Sequence, residues 1–589
     1  HVRTGASQPA AARKCNVQLN FLNQPFFPAG APVDVEWLHP GMTEPNHALV
    51  VKVYDFAATG KYRLCLDLNH AVVPADVRPL VQTQLQEVLT QFLADRSQLV
   101  ATPTPAAYAR WLSFQNQVDN FLPTPTLLEL IAEQVTLRGE ATALMYEGEE
   151  LSYQELDERA NQVANFLRAR GLQTEDMVAV CVDRSFDLVV WLLGILRAGG
   201  AYLPLDANYP PDRIAYLLED SGARFCVANR KYEGLLGQYP KEARLWSDTP
   251  ELAEQPVTNN QQPVTSDQLI YVYYTSGSTG RPKGVLVEHA GVLNCLSWLQ
   301  YEYDLQPDRD VFLYKTVLGF DTAVFEIFWP LMTGARLTIA PENRQGDYDY
   351  LSKMINRDGV TIFHFVPPML DQFLDVVDTI PSVRHVFSGG DKLQPRILEK
   401  FRRKFPDKSF CNYYGPTEGS IGCSFWPIPT GVTRIDEISI GGPTTNADLY
   451  VLGPDDAFCP VGVPGELCIG GIHVVRGYHN RPELTAEKFV ELPLGPAGEL
   501  RRVYRTGDLV RWRADGNLLF LGRIDTQVKI RGVRIEPEEV EKVLLGAPGV
   551  TKAIVLVRED RPEQKQLVAY LTVNENYDAA ATRQFLGDQ

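Results

Sequence analysis

The sequence lacks the features of several large classes of protein. Its longest apolar run, residues 188–196, has nine residues, whereas a membrane-spanning helix needs about 20, so we expect no membrane as a partner. The nine cysteines include no CxxC pair, which argues against a disulfide framework and a structural zinc site and fits a reducing cytoplasm. No signal-peptide pattern opens the chain, which begins at His1 without a methionine, and we expect a piece of a longer protein.

The charge balance argues against another class. Acidic residues outnumber basic ones by 73 to 56, and a formal net charge of −17 makes a broad nucleic-acid surface a poor expectation. The remaining composition, with 45% hydrophobic and 22% charged residues, is ordinary for a globular protein. A chain of 589 residues is several times the usual ~100–200 residues of one domain, so at least two domains are expected.

The first hundred residues have strand-like runs but no catalytic motif. Residues 16–21 and 64–68 are typical of strands, and apolar side chains recur at helical spacing over residues 81–92. Prolines at both ends of residues 101–125 disfavour helix in their neighbours and stiffen the chain. Because residues 111–114 between them are apolar, we interpret 101–125 as a linker docked on a neighbouring domain.

From about residue 126 the chain alternates helices and strands. Residues 152–155 form a capping box that opens a helix with apolar side chains at helical spacing. Strands are predicted over residues 177–182 and 201–205, with an apolar helix around 188–196 between them. This alternation predicts an α/β layered fold with a buried, largely parallel sheet.

The pattern changes near residue 520. Predicted strands at residues 527–531 and 553–557 belong to a smaller, more charged α+β unit. The expected fold class is therefore α/β, with a large layered unit, a small α+β unit and an α/β fragment at the N-terminus.

The sharpest local signal is the run 269–284. A β-rich segment leads into a loop with three glycines, four hydroxyl residues and Lys283. Glycines let backbone N–H groups approach an anion, hydroxyls donate hydrogen bonds and a lysine supplies a point charge, so the loop predicts a phosphate site. It is not a Walker A loop, which ends in Gly-Lys-Ser/Thr, and it lacks the glycine pattern of a dinucleotide fold.

Together with further ordered blocks, this loop resembles the adenylate-forming superfamily, and in particular the amino-acid adenylation domains of nonribosomal peptide synthetases. The resemblance extends over about residues 126–589. The other blocks that carry it are residues 196–206, 412–418, 465–478, 504–509 and 522–532.

The resemblance implies a role for each matching residue. Tyr414 would stack on adenine, Asp508 would take the ribose hydroxyls and Glu418 would hold Mg²⁺, a cation that prefers carboxylate oxygen. Arg523 would contact the nucleotide near a hinge at Asp525. The residues implied for catalysis are Thr275, Lys283, Glu418, Asp508 and Arg523. Those implied for binding ATP are Thr275, Ser276, Gly277, Ser278, Thr279, Gly280, Lys283, Asn412, Tyr413, Tyr414, Gly415, Thr417, Glu418, Asp508 and Arg523.

The implied reaction needs no general base. A carboxylic acid has a pKa near ~4, so the carboxylate that attacks the α-phosphorus of ATP is already ionised at neutral pH. Placement and charge neutralisation do the rest. The family's final Asn-Gly-Lys block, whose lysine bridges the substrate and the nucleotide, is absent up to Gln589. We therefore expect these 589 residues alone to bind both substrates but to adenylate poorly.

The resemblance also implies a substrate pocket. Asp321 would pair with an α-ammonium group, because a buried carboxylate without a partner is costly. His364 and Ser388 could hydrogen-bond a hydroxyl, so serine or a small hydroxylated or α-substituted relative is our hypothesis for the substrate. The implied pocket residues are Asp321, Thr322, Phe325, His364, Val386, Ser388, Gly389, Tyr413, Ile421 and Gly422.

The same resemblance predicts the domain order and the partners. Residues 1–100 are similar to the end of a condensation domain without its catalytic motif, 101–125 would be the linker, and 126–524 and 525–589 the large and small adenylation subdomains. The expected partners are an amino acid, a downstream carrier domain bearing phosphopantetheine, the rest of the condensation domain and an optional small activator protein.

Two alternatives stay open at this stage. One is a stand-alone acyl- or aryl-CoA ligase of the same superfamily, against which Asp321 and the upstream fragment argue. The other is a non-catalytic nucleotide-binding interaction module, against which the complete phosphate and ribose blocks argue.

Overall fold

The structure is a computed structural model, and it describes only part of the chain. The described residues are 17–22, 49–54, 63–68, 105–115, 126–258, 264–277, 281–432, 435, 437–495, 498–530, 532–560 and 565–588. The chain divides into two units, one made of residues 1–105, 460–463 and 512–515 and the other of the remaining residues.

The described residues contain 28 strands. In chain order they are β1 (Val17–Leu22), β2 (Leu49–Tyr54), β3 (Arg63–Leu68), β4 (Thr142–Tyr146), β5 (Glu149–Ser152), β6 (Met177–Cys181), β7 (Ala201–Pro204), β8 (Phe225–Ala228), β9 (Arg244–Trp246), β10 (Leu269–Thr275), β11 (Lys283–Glu288), β12 (Val311–Tyr314), β13 (Arg336–Ile339), β14 (Ile362–Phe365), β15 (His385–Gly389), β16 (Ser409–Tyr414), β17 (Ser424–Ile428), β18 (Ser439–Pro443), β19 (Ala447–Leu452), β20 (Gly465–Gly471), β21 (Gly477–Tyr478), β22 (Phe489–Leu492), β23 (Arg501–Trp512), β24 (Leu518–Arg523), β25 (Val528–Ile530), β26 (Val533–Ile535), β27 (Val550–Arg558) and β28 (Gln566–Val573).

Helices alternate with these strands through the larger unit. They are α1 (Pro105–Phe114), α2 (Leu127–Arg138), α3 (Tyr153–Ala169), α4 (Phe186–Arg197), α5 (Pro211–Ser221), α6 (His289–Tyr303), α7 (Thr322–Thr333), α8 (Tyr348–Asp358), α9 (Pro367–Val376), α10 (Pro395–Lys404), α11 (Pro482–Lys488), α12 (Pro537–Leu545) and α13 (Ala579–Asp588). Short 3₁₀ turns lie at Arg230–Leu236, Lys241–Ala243, Pro250–Leu252 and Thr417–Gly419. Within the described residues, no helix is both long and apolar enough to cross a membrane.

Two large sheets organise the larger unit. A seven-stranded sheet has the order β21-β11-β10-β7-β6-β8-β9, and a fourteen-stranded sheet contains β12 to β20 with β4, β5 and β22 to β24. In the first sheet, β10, β7, β6, β8 and β9 run parallel, whereas β11 pairs antiparallel with β10. All residues of β6, β7 and β8 are buried, as expected for parallel strands covered on both faces. The predicted α/β fold class is thus confirmed.

The capping box predicted at residues 152–155 is confirmed. The Ser152 hydroxyl accepts from the Glu155 N–H at 3.2 Å, and the Glu155 carboxylate accepts from the Ser152 N–H at 2.9 Å. This exchange satisfies two of the free donors at the start of α3. The apolar side chains of α3 that were predicted at helical spacing are all at most 1% exposed: Leu156, Ala160, Val163 and Leu167.

The smaller predicted elements fall close to their expected positions. The strand expected at 527–531 is β25, the strand expected at 553–557 is the longer β27, and β27 pairs antiparallel with β28. In the N-terminal unit, β2 pairs parallel with β1 and antiparallel with β3. The helix expected over 81–92 lies outside the described residues.

Helix α1 is anchored by an aromatic contact. Trp111 is 7% exposed, and its indole lies parallel to the Tyr450 ring, with centroids 4.9 Å apart. The indole N–H donates to the Leu449 carbonyl at 2.7 Å. Residues 116–125 of the predicted linker lie outside the described residues, so its boundaries remain a prediction.

Gly194 sits where α4 crosses α3 with no space for a side chain. A Cβ at this position would lie 2.4 Å from the Val163 Cγ1 and 3.0 Å from the Ala160 carbonyl oxygen. We expect Gly194→Ala to lower the free energy of unfolding by about 1–3 kcal/mol, because overpacking forces the helices apart. Urea unfolding followed by tryptophan fluorescence measures this. The control is Gly346→Ala, where a Cβ meets nothing within 4 Å, and equal stability of the two variants would contradict the argument.

Candidate active site

A cleft of about 550 Å³ lies at the carboxyl ends of the strands in the larger unit. Open α/β sheets bind ligands at this edge. The predicted site residues that line the cleft are Thr275, Ser276, Asp321, Thr322, His364, Tyr413, Tyr414, Gly415, Thr417, Ile421, Asp508 and Arg523. The fold thus brings both ends of the predicted site, the nucleotide side and the substrate side, into one cavity.

Other predicted site residues are not part of this lining. They are Gly277, Lys283, Phe325, Val386, Ser388, Gly389, Asn412, Glu418, Gly422 and Asp525. The amide of Asn412 donates to the Ser439 carbonyl at 2.6 Å, so it ties two strands of the sheet together. Ser278, Thr279 and Gly280 lie outside the described residues.

Asp321 carries a carboxyl group with a buried, unpartnered oxygen and a raised pKa. It occupies the position before α7 without a side-chain capping bond, and its Oδ2 is the atom buried without a hydrogen-bond partner. Burial raises the pKa of Asp321 to about 6, although a hydrogen bond with Thr417 and the charge of Lys529 oppose the rise. A buried acceptor without a donor is costly, so the cleft is prepared for a group that brings N–H bonds and positive charge.

Three of the predicted pocket walls are joined by polar contacts. The Tyr413 hydroxyl lies 3.1 Å from the Thr322 hydroxyl and 3.3 Å from the His364 Nε2. Behind them, the His364 Nδ1 is 3.5 Å from a carboxylate oxygen of Glu326. These contacts give this end of the cleft polar as well as aromatic surface.

Two predicted pocket residues, Val386 and Ser388, lie on the other face of β15. Gly389 is the residue of β15 that pairs with Tyr413, and side chains alternate between the two faces along a strand. Val386 packs in the hydrophobic core on that other face.

Close packing fixes the position of Tyr413. A Cβ on Gly389 would lie 2.4 Å from the Tyr413 ring, so the strand β15 can carry only glycine here. Phe425 stacks on the other side of the ring, with centroids 5.3 Å apart. The neighbouring wall residue Ile421 has φ of +73°, a strained conformation for a β-branched side chain, and such strain is typical of functional sites.

The residues predicted for adenine and ribose are neighbours. The Tyr414 hydroxyl donates to one carboxylate oxygen of Asp508, and Arg523 donates to the other at 2.8 Å. Arg523 also donates through Nε to Asp525 at 2.6 Å. One hydrogen-bond network therefore joins Tyr414, Asp508, Arg523 and Asp525, the residues predicted for adenine, ribose, nucleotide and hinge.

Glu418 is the most deeply buried charge of the site, at 0% exposure. Arg534 donates to its two oxygens at 3.1 and 2.9 Å, the Tyr478 hydroxyl donates at 2.8 Å, and the Lys283 ammonium lies at 3.4 Å. Burial alone would raise the pKa of Glu418, but the charges of Arg534 and Lys283 outweigh it and hold that pKa well below its usual range. Burial lowers the pKa of Lys283 to about 8, so it keeps its proton at neutral pH.

The described part of the phosphate loop contacts the same segment as Glu418 does, at Arg534. The Thr275 hydroxyl is buried without a partner, and the Ser276 hydroxyl donates to the Arg534 carbonyl at 3.0 Å. Within the described residues, no three His, Cys, Asp or Glu side chains are grouped to hold a metal by themselves. A single ionised carboxylate beside a phosphate loop fits Mg²⁺, which binds through one or two carboxylates together with substrate phosphates.

Sequence reasoning missed several residues of this cleft. Arg534 and Tyr478 contact Glu418, while Lys315, Lys529 and Gln527 line the cavity. Arg534 stands two positions beyond the last matched block, and Lys529 lies inside it. An unmatched basic residue next to a matched block was the available signal. Nothing in the sequence, however, shows that the hairpin of β25 and β26, which carries Lys529 and Arg534, reaches the phosphate loop.

The comparisons with known proteins agree with this architecture. The family model described as AMP-binding enzyme matches residues 131–479, more than half of the chain. A fused adenylation and carrier di-domain from Klebsiella oxytoca shares the fold with a TM-score of 0.71 and 27% identity, over 79% of this chain and 91% of that one. A four-domain nonribosomal peptide synthetase bound to AMP and glycine matches with a TM-score of 0.71 and 29% identity, over 92% of this chain and 40% of that one. Fold and cleft are those of an AMP-forming ligase.

Two curated relatives narrow the class. Phosphinothricin tripeptide synthetase PhsB of Streptomyces viridochromogenes is 40% identical over 526 residues, which are 87% of this chain and 43% of the relative. Tyrocidine synthase 3 of Brevibacillus parabrevis is 38% identical over 509 residues, 84% of this chain and 8% of the relative. The chain belongs to the AMP-binding enzymes, as an amino-acid adenylation domain of the nonribosomal peptide synthetase type. It spans less than half the length of these relatives.

The raised pKa of Asp321 predicts a stability cost that depends on pH. The folded chain binds this proton more tightly than the unfolded chain, with a pKa of about 6 against 3.8, so the penalty grows from pH ~4 and is complete above pH ~6. We expect Asp321→Asn to raise the free energy of unfolding by up to about 3 kcal/mol at pH 7.5 and by about half as much at pH 5. Denaturant unfolding at the two pH values measures it.

The exposed Asp378 provides a matched control, because Asp378→Asn removes a carboxylate from the surface. An Asp321→Asn variant that is no more stable than the parent at pH 7.5 would show that the carboxylate is not under strain.

Proposed function

We propose that this domain activates serine, or a small hydroxylated or α-substituted relative, as the aminoacyl-adenylate and passes it to the phosphopantetheine thiol of a carrier domain. The observation that carries the proposal is the buried Oδ2 of Asp321, which has no hydrogen-bond partner and belongs to a residue that lines the cleft beside the phosphate loop. An α-ammonium group would supply both the missing donors and the missing charge.

The roles of the nucleotide residues follow from their surroundings. Tyr414 offers an aromatic face for adenine, and Asp508 offers two acceptors for the ribose hydroxyls once its present contacts are exchanged. Lys283 and the Thr275 and Ser276 hydroxyls provide charge and donors for the β- and γ-phosphates. Glu418 would hold Mg²⁺, which neutralises charge on the phosphates when bound. For this to happen, Arg534 must leave the Glu418 carboxylate.

The chemistry proposed for the chain is placement and charge neutralisation. Asp321 orients the amino acid by its ammonium group, so that the ionised carboxylate points toward the nucleotide. The carboxylate oxygen then forms a bond to the α-phosphorus, and the bond to pyrophosphate breaks. Arg523 and Lys283 offset negative charge on the two reacting anions, and no side chain needs to take a proton.

The hydroxyl preference rests on polar side chains that line the cleft. The Tyr413 hydroxyl lies within 3.3 Å of both the His364 Nε2 and the Thr322 hydroxyl, and all three residues line the cleft. A site with such donors and acceptors favours a ligand hydroxyl over a methyl group. The alternative of an acyl- or aryl-CoA ligase leaves Asp321 without a partner, because the acids activated by such a ligase carry no ammonium group. Measuring transfer of the activated acid to CoA and to a carrier domain distinguishes the two functions.

The upstream segment is proposed to be the end of a condensation domain, with residues 101–125 as the linker and Asp525 as the hinge before the small subdomain. Support comes from the extent of a structural match. The proposed adenylation domain, residues 126–589, is 79% of the chain. The four-domain synthetase matches 92% of the chain, so its match extends into the residues before 126. The remaining condensation domain upstream, a carrier domain downstream and a small activator protein are the partners that this order implies.

Amino-acid-dependent ATP–pyrophosphate exchange tests the substrate. We expect slow exchange that is fastest with serine, weaker with threonine and alanine, and absent with Asp321→Asn. A preference for leucine or phenylalanine would contradict the hydroxyl-binding pocket. Exchange driven by an aryl acid without an amino group would contradict the role of Asp321 as well.

Thr322→Val tests the hydroxyl contact itself, because Thr322 lines the cleft. Loss of one hydrogen bond weakens serine binding by roughly tenfold, because such a bond contributes about 1 kcal/mol or more. Alanine has no hydroxyl, so its dissociation constant should stay within about twofold. Calorimetric titration of both amino acids measures the two constants. Equal losses for serine and alanine would instead indicate that Thr322 only supports packing.

A further inference from the structure

A group of four side chains outside the predicted site ties together both ends of the phosphate loop. These are Tyr216 and Asp220 on α5, Tyr274 on β10, and Arg481 just before α11; they are referred to below as the stem clamp. Tyr274 lies within the run 269–284, whereas the other three lie outside every block matched in the sequence. Tyr274 precedes Thr275, and the residue that the clamp contacts on the other side, Pro282, precedes Lys283.

The first half of the clamp holds the strand that enters the loop. The Tyr274 hydroxyl donates to the Asp220 carboxylate at 2.7 Å. Gly284 on the paired strand allows this, because a Cβ there would lie 3.1 Å from the Tyr274 ring. The ring can therefore lie flat across β11, with its hydroxyl directed to α5.

The second half holds the segment that leaves the loop. The Tyr216 hydroxyl donates to the Pro282 carbonyl at 3.0 Å. Arg481 joins the two halves, since one of its nitrogens donates to the Asp220 carboxylate at 2.6 Å and to the Tyr216 hydroxyl at 3.1 Å. The turn that carries Arg481 is itself bonded to β11 through the His479 N–H and the Gly284 carbonyl at 2.8 Å.

Helix α5 gives the clamp a rigid base. Tyr216 and Asp220 are four residues apart and so lie on one face of the helix. Ile214, Leu217 and Leu218 on its other side are at most 5% exposed. The Asp220 carboxylate, whose side chain is 11% exposed, keeps its charge because the bonds from Tyr274 and Arg481 outweigh the effect of burial and lower its pKa.

We propose that the stem clamp holds the paired strands β10 and β11 against α5, and that Asp220, Tyr216 and Arg481 are positioning residues for the phosphates of ATP. Thr275 and Lys283 are cross-strand partners at the end of this pair, so the position of the pair decides where both side chains lie. The inference rests on the proposed function, because it takes Thr275, Ser276 and Lys283 as phosphate-binding residues. A stem that is fixed before the nucleotide arrives lowers the entropy lost on binding.

The clamp acts on the phosphates and not on the nucleoside, so two ligands separate its effect. We expect Asp220→Asn and Tyr216→Phe each to weaken ATP binding by about tenfold, the loss of one charged or buried hydrogen bond. Adenosine, which has no phosphates, should bind each variant as it binds the parent. Calorimetric titration of the 589-residue chain with ATP and with adenosine gives the two constants.

Conservative and matched variants separate positioning from folding. Arg481→Lys keeps a cation beside Asp220 and should retain more ATP affinity than Arg481→Ala. Asp371→Asn breaks an ion pair of the same length, 2.6 Å to Arg396, away from the cleft, and should change neither constant. Normal ATP affinity in Asp220→Asn and Tyr216→Phe would overturn the clamp alone, as would parallel losses for adenosine and ATP. If the unaltered chain binds no ATP, the proposed function falls together with the clamp.

Discussion

The carboxylate of Glu418 is the charge on which the cleft depends. It is fully buried, and a buried charge persists only where cations and donors surround it. Its partners come from three distant segments. Lys283 lies on β11, Tyr478 on the short strand β21, and Arg534 on β26 of the β25–β26 hairpin. Pairing one anion with groups so far apart in sequence brings the loop, the sheet edge and the hairpin to one point.

Local chemistry explains why much of the fold was predictable. The capping box at Ser152 and the buried run of α4 encode their helices within a few residues, and β6 is apolar throughout because both of its faces are covered. Positions within ordered blocks likewise predicted that Tyr414, Asp508 and Arg523 would meet in one cleft. The contacts of Arg534 with Glu418 and of Tyr274 with Asp220 could not be predicted in this way, since they join residues 116 and 54 positions apart through tertiary packing.

The substrate end of the cleft is built against stability. Asp321 has an unpartnered buried oxygen and Ile421 has a positive φ, and both residues line the cleft. Each is locally unfavourable, and a ligand that donates to Asp321 would remove the cost at that residue. Tyr413, held between Gly389 and Phe425, gives these groups a fixed frame, so the selectivity of the pocket follows from rigidity as much as from polarity.

The contact of Trp111 with Tyr450 bears on how such units can be recombined. The indole covers the Tyr450 ring and donates to the backbone of the same strand, so helix α1 completes the surface of the unit downstream of it. A graft that joins foreign sequence after this helix would uncover an aromatic face and leave a backbone acceptor bare. When the catalytic unit is transferred to another protein, the ten residues of α1 should therefore be included in the transferred segment.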